Sequence, residues 1–366
     1  MPSPVLATAA ATLLAVSAAI ALTRADERPI PPATAPPVAK PLPVEVVRGL
    51  GFLVERQGSD GGFGLNDGQD PDVANTAIAA LSLVQSGHTP ATGDHRAAVR
   101  KAVEFILREV EAAPADGPLV TKKTGTQPQH KVGPLVDTFL AGLLLGEVDG
   151  RCGDAALDAR VHAALAKCAK KTESCQQPDG SWNQGGWAPV LGTAFAQQCL
   201  AKAEEQGIPV DKEKLARAND WARRVQEEGT KGRADSAGVE LYANNASLAI
   251  VGTGVVGGEA KEKDLAAFDA GAGKLANADM LKGFGSNGGE EYVSFMMAST
   301  TLAAAGSQAG VQWDTNIRSK LGELQNADGS WAGHHCITGR VFCTASAVLT
   351  LTADRKAAAI AKSDVK

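Results

Sequence analysis

A repeat with a period near fifty residues is the feature that most limits how this 366-residue chain can fold. Six similar segments recur along the chain. Each begins with polar residues and is otherwise apolar on nearly every helix face. They begin at Asp72, Pro134, Val190, Leu241, Glu290 and Val341. Aligned on Thr76, Thr138, Thr193, Asn245, Ser294 and Thr344, they are spaced by 62, 55, 52, 49 and 50 residues. Because helices that are apolar on every face are buried, the six segments are predicted to be inner helices.

An amphipathic segment precedes each of these inner segments. In the second one, Val99, Val103 and Val110 fall at helical spacing, whereas Arg96 and Arg108 take other faces. The charged faces predict outer helices, over Val44–Gln57, His95–Ala112, Asp154–Lys170, Asp211–Glu228, Lys261–Ala278 and Trp313–Gln325. Two helices in each repeat indicate an all-α chain of six stacked helical hairpins. The periodicity does not choose between an open solenoid and a closed ring.

The two ends of the chain differ from the repeats. An Ala- and Leu-rich run within residues 1–25 predicts a secretory signal peptide, with an uncleaved N-terminal membrane anchor as the alternative. Residues 26–44 are proline-rich and predict a semi-rigid linker. The repeats cover 45–352, and 353–366 form a C-terminal tail. We therefore expect an exported protein that is periplasmic, secreted or tethered to a membrane.

The net charge and the cysteine content limit which partners and which disulfide or metal sites are expected. The net charge is −5 and Lys and Arg form no dense cluster, which argues against a nucleic-acid partner. Six cysteines in an exported protein favour disulfides, and a bond between Cys336 and Cys343 is the preferred prediction. The alternatives are free thiols or a zinc ion held by His334, His335, Cys336 and Cys343, and otherwise no cofactor is expected.

Three turns share one motif at the same place in the repeat. They read ERQGSDGGFG from Glu55, CQQPDGSWNQGGW from Cys175 and LQNADGSWAG from Leu324. Asp-Gly favours a tight turn after the outer helix. We expect the aromatic residue of each motif (Phe63, Trp182 or Trp331) to fold back on the glutamine and lock one repeat to its neighbour.

These turns resemble the QW repeats of the squalene–hopene and terpenoid cyclases and the related turns of protein prenyltransferase β-subunits. The resemblance covers roughly residues 45–352. It implies an α/α toroid, an α6/α6-type barrel of six helix-hairpin repeats, with a central apolar cavity that takes isoprenoids.

The catalytic motifs of those families are altered in this sequence. The cyclase motif Asp-x-Asp-Asp-Thr-Ala has its nearest match in residues 72–77, which keep Asp72 but carry Ala74 and Asn75 in place of the other acids. The prenyltransferases bind zinc through an Asp, a Cys and a His. The corresponding residues in this sequence are Glu290, Tyr292 and Cys343, respectively. The resemblance therefore implies either divergent chemistry or binding without catalysis.

The candidate site residues lie at the openings of the inner segments. Asp72, Glu290 and Glu291 are candidate catalytic acids or bases. Candidate ligand-binding residues are Asp137, Tyr292, Trp187 and Arg340, of which Arg340 suits a phosphate or would pair with Glu290 or Glu291. The carboxylates would alternatively serve only as helix caps, and the aromatic residues only as core.

Two functions follow as hypotheses. The first is a protein that binds, and in some form transforms, an isoprenoid or other apolar ligand in a central cavity. The alternative is a non-catalytic secreted scaffold that binds a protein through the toroid face. A glycan hydrolase or lyase is disfavoured because only 4% of the residues are aromatic.

Overall fold

Helices form nearly wherever the sequence predicts them. A computed structural model describes residues 41–66, 68–182, 185, 188–228, 239–256, 261–275 and 288–355. The outer helices are α1 (Val44–Glu55), α3 (Arg96–Ala112), α6 (Ala155–Ser174), α8 (Lys212–Glu228), α10 (Glu262–Leu275) and α12 (Gln308–Leu324). The inner helices are α2 (Val73–Gln85), α5 (Val136–Val148), α7 (Pro189–Glu205), α9 (Val239–Val256), α11 (Glu290–Ala305) and α13 (Arg340–Leu351). The described residues contain no β-strand, so the chain is all-α there, as predicted.

Burial separates the two sets of helices as the sequence predicts. Every residue of α5 except Glu147 is buried, whereas α3 buries Val99, Val103 and Ile106 and exposes its other faces. Small residues let the inner helices approach closely. A Cβ atom added to Gly252 of α9 would lie 2.2 Å from Cγ2 of Thr301 in α11, so only glycine allows this contact.

The inner helices contact one another in a cyclic order. Each of α2, α5, α7, α9, α11 and α13 contacts the next, and α13 contacts α2. Side chains join the first and the last of them directly, since Gln85 Nε2 donates to the carbonyl oxygen of Leu349 at 2.7 Å and to Thr352 Oγ1 at 2.9 Å. The outer helices lie against this set, for example α3 on α2, α6 on α5 and α10 on α9.

The glutamine of each turn motif connects two outer helices. Gln57 Nε2 donates to the carbonyl oxygen of Gly61 in its own turn and to that of Ala98 in α3. The other two motifs repeat this pair of bonds. Gln176 donates to Gly180 and to Lys214 of α8, and Gln325 donates to Gly329 and to Glu45 of α1. The predicted locking of neighbouring repeats is therefore present, and glutamine makes the bond to the neighbour.

The aromatic residue of the motif attaches the turn to its own hairpin. The backbone N–H groups of Phe63, Trp182 and Trp331 donate to Oγ1 of Thr76, Thr193 and Thr344 on the inner helices, at 2.8, 3.0 and 3.0 Å. The indole N–H of Trp182 donates to the carbonyl oxygen of Thr172, and that of Trp331 to Leu321. All three rings are buried. The two indole groups thus bond to their own outer helices, and the Trp331 ring also lies beside Gly49 of α1, the next outer helix.

One short helix was not predicted. α4 (Gln127–Lys131) lies in the extra residues that make the first spacing 62 rather than about 50. Thr126 caps it, because its Oγ1 accepts from the Gln129 N–H while the Gln129 side chain accepts from the Thr126 N–H.

The predicted terminal segments fall mostly outside the described residues. This holds for residues 1–25, for most of the 26–44 linker and for the tail beyond residue 355. Among the described helices, none combines the length and the apolar character that crossing a bilayer requires.

We predict that Gly329→Ala destabilises the fold and that Gly322→Ala does not. Gly329 has a left-handed φ of 87°, and an added Cβ would lie 2.6 Å from the backbone oxygen of Arg48 in α1. The left-handed backbone alone costs about 1–2 kcal/mol for an L residue, and the clash adds to it. Gly322, in the last turn of α12, has no atom within 4 Å of an added Cβ, so alanine should stabilise the helix by up to roughly 0.5–1 kcal/mol.

Urea denaturation of the two variants beside the wild-type chain measures this difference. Equal free energies of unfolding for the two variants would contradict the role that we assign to the turn.

Candidate functional site

A cavity of about 900 Å³ lies among the inner helices. Each inner helix contributes to its wall, through Ile78, Leu140, Phe195, Ala249, Met296 and Leu349 in chain order. These residues lie beyond the first turn of their helices, and others that line the cavity reach the last turn of α7. The cavity is therefore on the side of the C-terminal helix ends and has an apolar wall.

Charged side chains lie at the cavity beside the last turns of the helices. Lys202 Nζ is 3.3 Å from Glu147 Oε1 and also pairs with Glu205, and all three residues line the cavity. Burial disfavours the Lys202 ammonium, but the two carboxylates outweigh that effect and raise the pKa of Lys202. Arg151 and Arg355 also line the cavity, so its wall is apolar and one part of its edge is charged.

The N-terminal ends of the inner helices form a second polar region. Asp72 is the N-cap of α2, where its Oδ1 accepts from the Asn75 N–H at 2.8 Å and its Oδ2 from the Asn75 side chain at 2.7 Å. Asp137, in the first turn of α5, accepts from the Ala74 N–H at 2.9 Å and from Gln129 Nε2 of α4 at 2.6 Å. Both carboxyl groups therefore bind helix N-termini, which is the capping role that the sequence allowed.

Burial changes the acidity of this pair. Asp137 is fully buried, and burial together with the nearby Asp72 carboxylate raises the pKa of Asp137 to about 7. Burial also raises the pKa of Asp72, against the opposing effect of its bonds with Asn75. A carboxyl group with a pKa near 7 is able to exchange a proton at neutral pH.

A third group gathers at the first turn of α11. Oxygen, nitrogen and sulfur atoms of Glu290, His335 and Cys336 all lie within 4.8 Å of one another. Glu290 and Glu291 are buried, His335 is exposed and Cys336 is half-buried. Sequence analysis named the two glutamates as candidate acids or bases and the other two residues as candidate zinc ligands, and the structure brings Glu290, His335 and Cys336 together.

The zinc ligand set that the family resemblance implies does not fit this structure. The Tyr292 hydroxyl donates to the carbonyl oxygen of Ala332 at 3.4 Å, and a tyrosine stands where a thiolate would be needed. Burial raises the pKa of both the Tyr292 phenol and the Cys343 thiol, so both are kept neutral. Cys343 is fully buried with its Sγ 3.8 Å from the carbonyl oxygen of Ile337.

The predicted disulfide is absent, since Cys336 and Cys343 are both free, as are the other four cysteines. The two thiols have different surroundings. The Cys336 sulfur is 3.0 Å from Nδ1 of His335, whereas the Cys343 sulfur lies on the buried face of α13 near Ile337. The preferred disulfide prediction is therefore wrong for this structure.

The remaining candidates are placed elsewhere. Arg340 pairs with Asp328 and donates to Ser330 Oγ, with its guanidinium 4.8 Å above the Phe52 ring, and so belongs to the turn motif rather than to Glu290 or Glu291. Burial opposes ionisation of Asp328, but its bonds with Ser330 and Arg340 lower the pKa of Asp328 to about 2. His334 is exposed, and Trp187 lies outside the described residues.

Sequence reasoning missed the cavity edge and α4. Asp72, Glu290 and Glu291 are not among the described residues that line the cavity, whereas Lys202 and Met296 are. Lys202, at the end of an inner segment next to Glu205, was a usable signal for the edge. The spacing of 62 residues was a usable signal for α4 and hence for Gln129.

Comparison with known proteins adds little. No family model matches the chain, and no curated protein matches it. A solved structure of a protein from Actinoplanes is 18% identical and covers 86% of this chain and 98% of its own, with a TM-score of 0.38. A likeness of that size supports no conclusion about fold or function.

We predict that Asp137 makes the fold less stable as the pH rises. In the unfolded chain an aspartate ionises above about pH 4, whereas Asp137 in the folded chain ionises only above about pH 7. Between these pH values the folded state therefore binds more protons than the unfolded state. The contribution of Asp137 to the free energy of unfolding should therefore decrease from pH 4 to pH 7, by up to about 4 kcal/mol at 1.36 kcal/mol per pKa unit.

The measurement is urea denaturation at pH 4, 5.5 and 7 for the wild-type chain and for Asp137→Asn, which cannot ionise. Asp269→Asn on the exposed face of α10 is the matched control and should keep the wild-type dependence. If Asp137→Asn also keeps it, the pair does not titrate as described.

Proposed function

We propose that this chain is an α/α toroid of six helix hairpins that binds an isoprenoid or other apolar small molecule in its central cavity. The cyclic contact order of the six inner helices supports the ring, because an open solenoid would leave α2 and α13 apart. The bonds from Gln325 to α1 and from Gln85 to the end of α13 support it further.

The observation that carries the binding function is the apolar cavity to which all six inner helices contribute. Its volume of about 900 Å³ lies near the upper end of the roughly 300–1,000 Å³ that small-molecule sites span. Met296 and Met297 are flexible, polarisable side chains that adapt to branched apolar chains.

The charged edge suggests how such a ligand would be oriented. The apolar part of the ligand would lie against residues such as Ile78 and Phe195. Its polar head group would lie near Lys202 and Arg151, which could donate hydrogen bonds to it and so avoid the cost of burying an unpaired polar group. The carboxylates of Asp72, Glu290 and Glu291 lie at the other helix ends, so the geometry favours binding over a reaction at those acids.

Export accompanies this proposal and rests on the sequence of residues 1–44 alone. An exported apolar-ligand protein would carry its ligand through water and shield it within the ring.

The first test identifies the bound molecule. The full chain is purified without detergent from a host that makes isoprenoids, and its organic extract is analysed by mass spectrometry. We expect an apolar compound at close to one molecule per chain.

The second test locates it. Ala201 is half-buried and lines the cavity, so Ala201→Phe should fill the space and reduce the bound ligand at least about tenfold, a loss of 1.4 kcal/mol. Ala97→Phe adds the same ring to the exposed face of α3 and should change nothing. An extract without a ligand, or equal retention by the two variants, would contradict the proposed function.

A further inference from the structure

The group at the start of α11 combines three kinds of metal-binding atom. A carboxylate oxygen of Glu290, a ring nitrogen of His335 and the sulfur of Cys336 lie within 4.8 Å of one another, and His335 Nδ1 is 3.0 Å from the Cys336 sulfur. They come from two segments that are far apart in sequence, so the fold and not chain proximity brings Glu290 to the other two.

Glycines hold the two segments at this distance. The Gly289 N–H donates to the carbonyl oxygen of Ile337 at 2.8 Å, and a Cβ added to Gly289 would lie 2.6 Å from that oxygen. A Cβ added to Gly333 would lie 2.7 Å from the Gly289 nitrogen. Since any larger residue would separate the segments, the positions of Glu290 and Cys336 are fixed by the backbone.

The backbone at Cys336 is strained. Its φ of 63° makes it the only non-glycine residue with a left-handed φ in the part of the chain that the structure describes. Such a conformation costs about 1–3 kcal/mol and persists where surrounding structure imposes it, commonly at ligand-binding sites. Here it directs the thiol of Cys336 to the same place as the Glu290 carboxylate.

Glu290 contributes a buried carboxylate to this group. Glu290 is 5% exposed, and its Oε2 accepts a long bond of 3.4 Å from the Ile337 N–H. Buried carboxylates are costly unless they are paired or bind a metal. Lys131 of α4 lies near the Cys336 thiol as a positive charge.

We propose that Glu290, His335 and Cys336 bind a zinc ion, with water as the fourth ligand. Oxygen, nitrogen and sulfur donors together suit Zn²⁺, and bond lengths of about 2.0–2.3 Å place tetrahedral ligands about 3.5 Å apart. The three donor atoms already lie within 4.8 Å of one another, and the exposed His335 side chain has room to adjust toward that spacing.

This site uses His335 and Cys336 in place of the positions that the family resemblance implied, and it does not depend on the proposed apolar ligand. Zinc there would connect the segment before α13 to the first turn of α11. This metal link would use Cys336, one of the two cysteines of the predicted disulfide that the structure does not form.

The test uses the full chain, reduced and stripped of metal with a chelator. Calorimetric titration with Zn²⁺ should give one site per chain, and titration with Co²⁺ should give a thiolate-to-cobalt absorption band. Zinc should raise the melting temperature, because it binds the folded chain.

Two variants and one control identify the ligands. Cys336→Ser and Glu290→Gln should each weaken zinc binding by more than about 100-fold, the upper range for losing only a supporting residue of a metal site. Cys336→Ser should also abolish the absorption band. Cys175→Ser removes a half-buried thiol on another turn and should bind zinc like the wild-type chain.

Circular dichroism checks that each variant is folded. If Cys336→Ser does not fold, the Glu290→Gln variant alone provides the test. A wild-type chain that binds no zinc, or a folded Cys336→Ser or Glu290→Gln variant that binds it as tightly as the wild-type chain, would overturn the proposal.

Discussion

The bond from a turn glutamine to the next outer helix is the interaction on which the arrangement of the repeats depends. A helical hairpin cannot bury its apolar face alone, so each repeat needs a fixed neighbour. Gln57, Gln176 and Gln325 each bind two backbone carbonyl oxygens, one in the turn and one in the following outer helix. Because the third of these bonds joins the last outer helix to α1, the same local device that connects consecutive repeats also connects the ends of the series.

The helices could be predicted from the sequence because the spacing of apolar and polar residues within each repeat indicates which helix faces are buried. Val99, Val103 and Ile106 share a face that is buried, and α5 has almost no polar residue to expose, so periodicity was sufficient for both kinds of helix. The role of glutamine in joining the helices could not be predicted in detail, because it depends on the carbonyl oxygen of a residue such as Ala98, which lies 41 residues away. Helix α4 was missed because five residues are too few to show a period.

The candidate site could be predicted only in part. A polar residue at the start of a helix can be a reactive group or simply a helix cap, and the sequence does not distinguish these two roles. The residues around Asp72 and Asp137 looked like reactive groups, yet each binds the free N–H groups of a helix N-terminus. The cavity is built instead from residues such as Ile78 and Met296, which sequence analysis cannot distinguish from core. That distinction depends on how far the six helices stand apart, which is a property of the assembled fold.

The loops that follow the aromatic residues of the first and last turn motifs are each closed by a hydrogen bond, and they contact each other. The bonds from Phe63 to Thr76 and from Trp331 to Thr344 each join the two ends of a loop. These two loops also meet, since Arg340 N–H donates to Asn66 Oδ1 at 3.1 Å and an added Cβ on Gly339 would lie 2.0 Å from Leu65 Cδ1. The segment that carries His335 and Cys336 is therefore supported on one side by the first repeat and on the other by α11. Contacts on two sides hold this loop in place, and a metal ligand set needs side chains that are held in place by their surroundings.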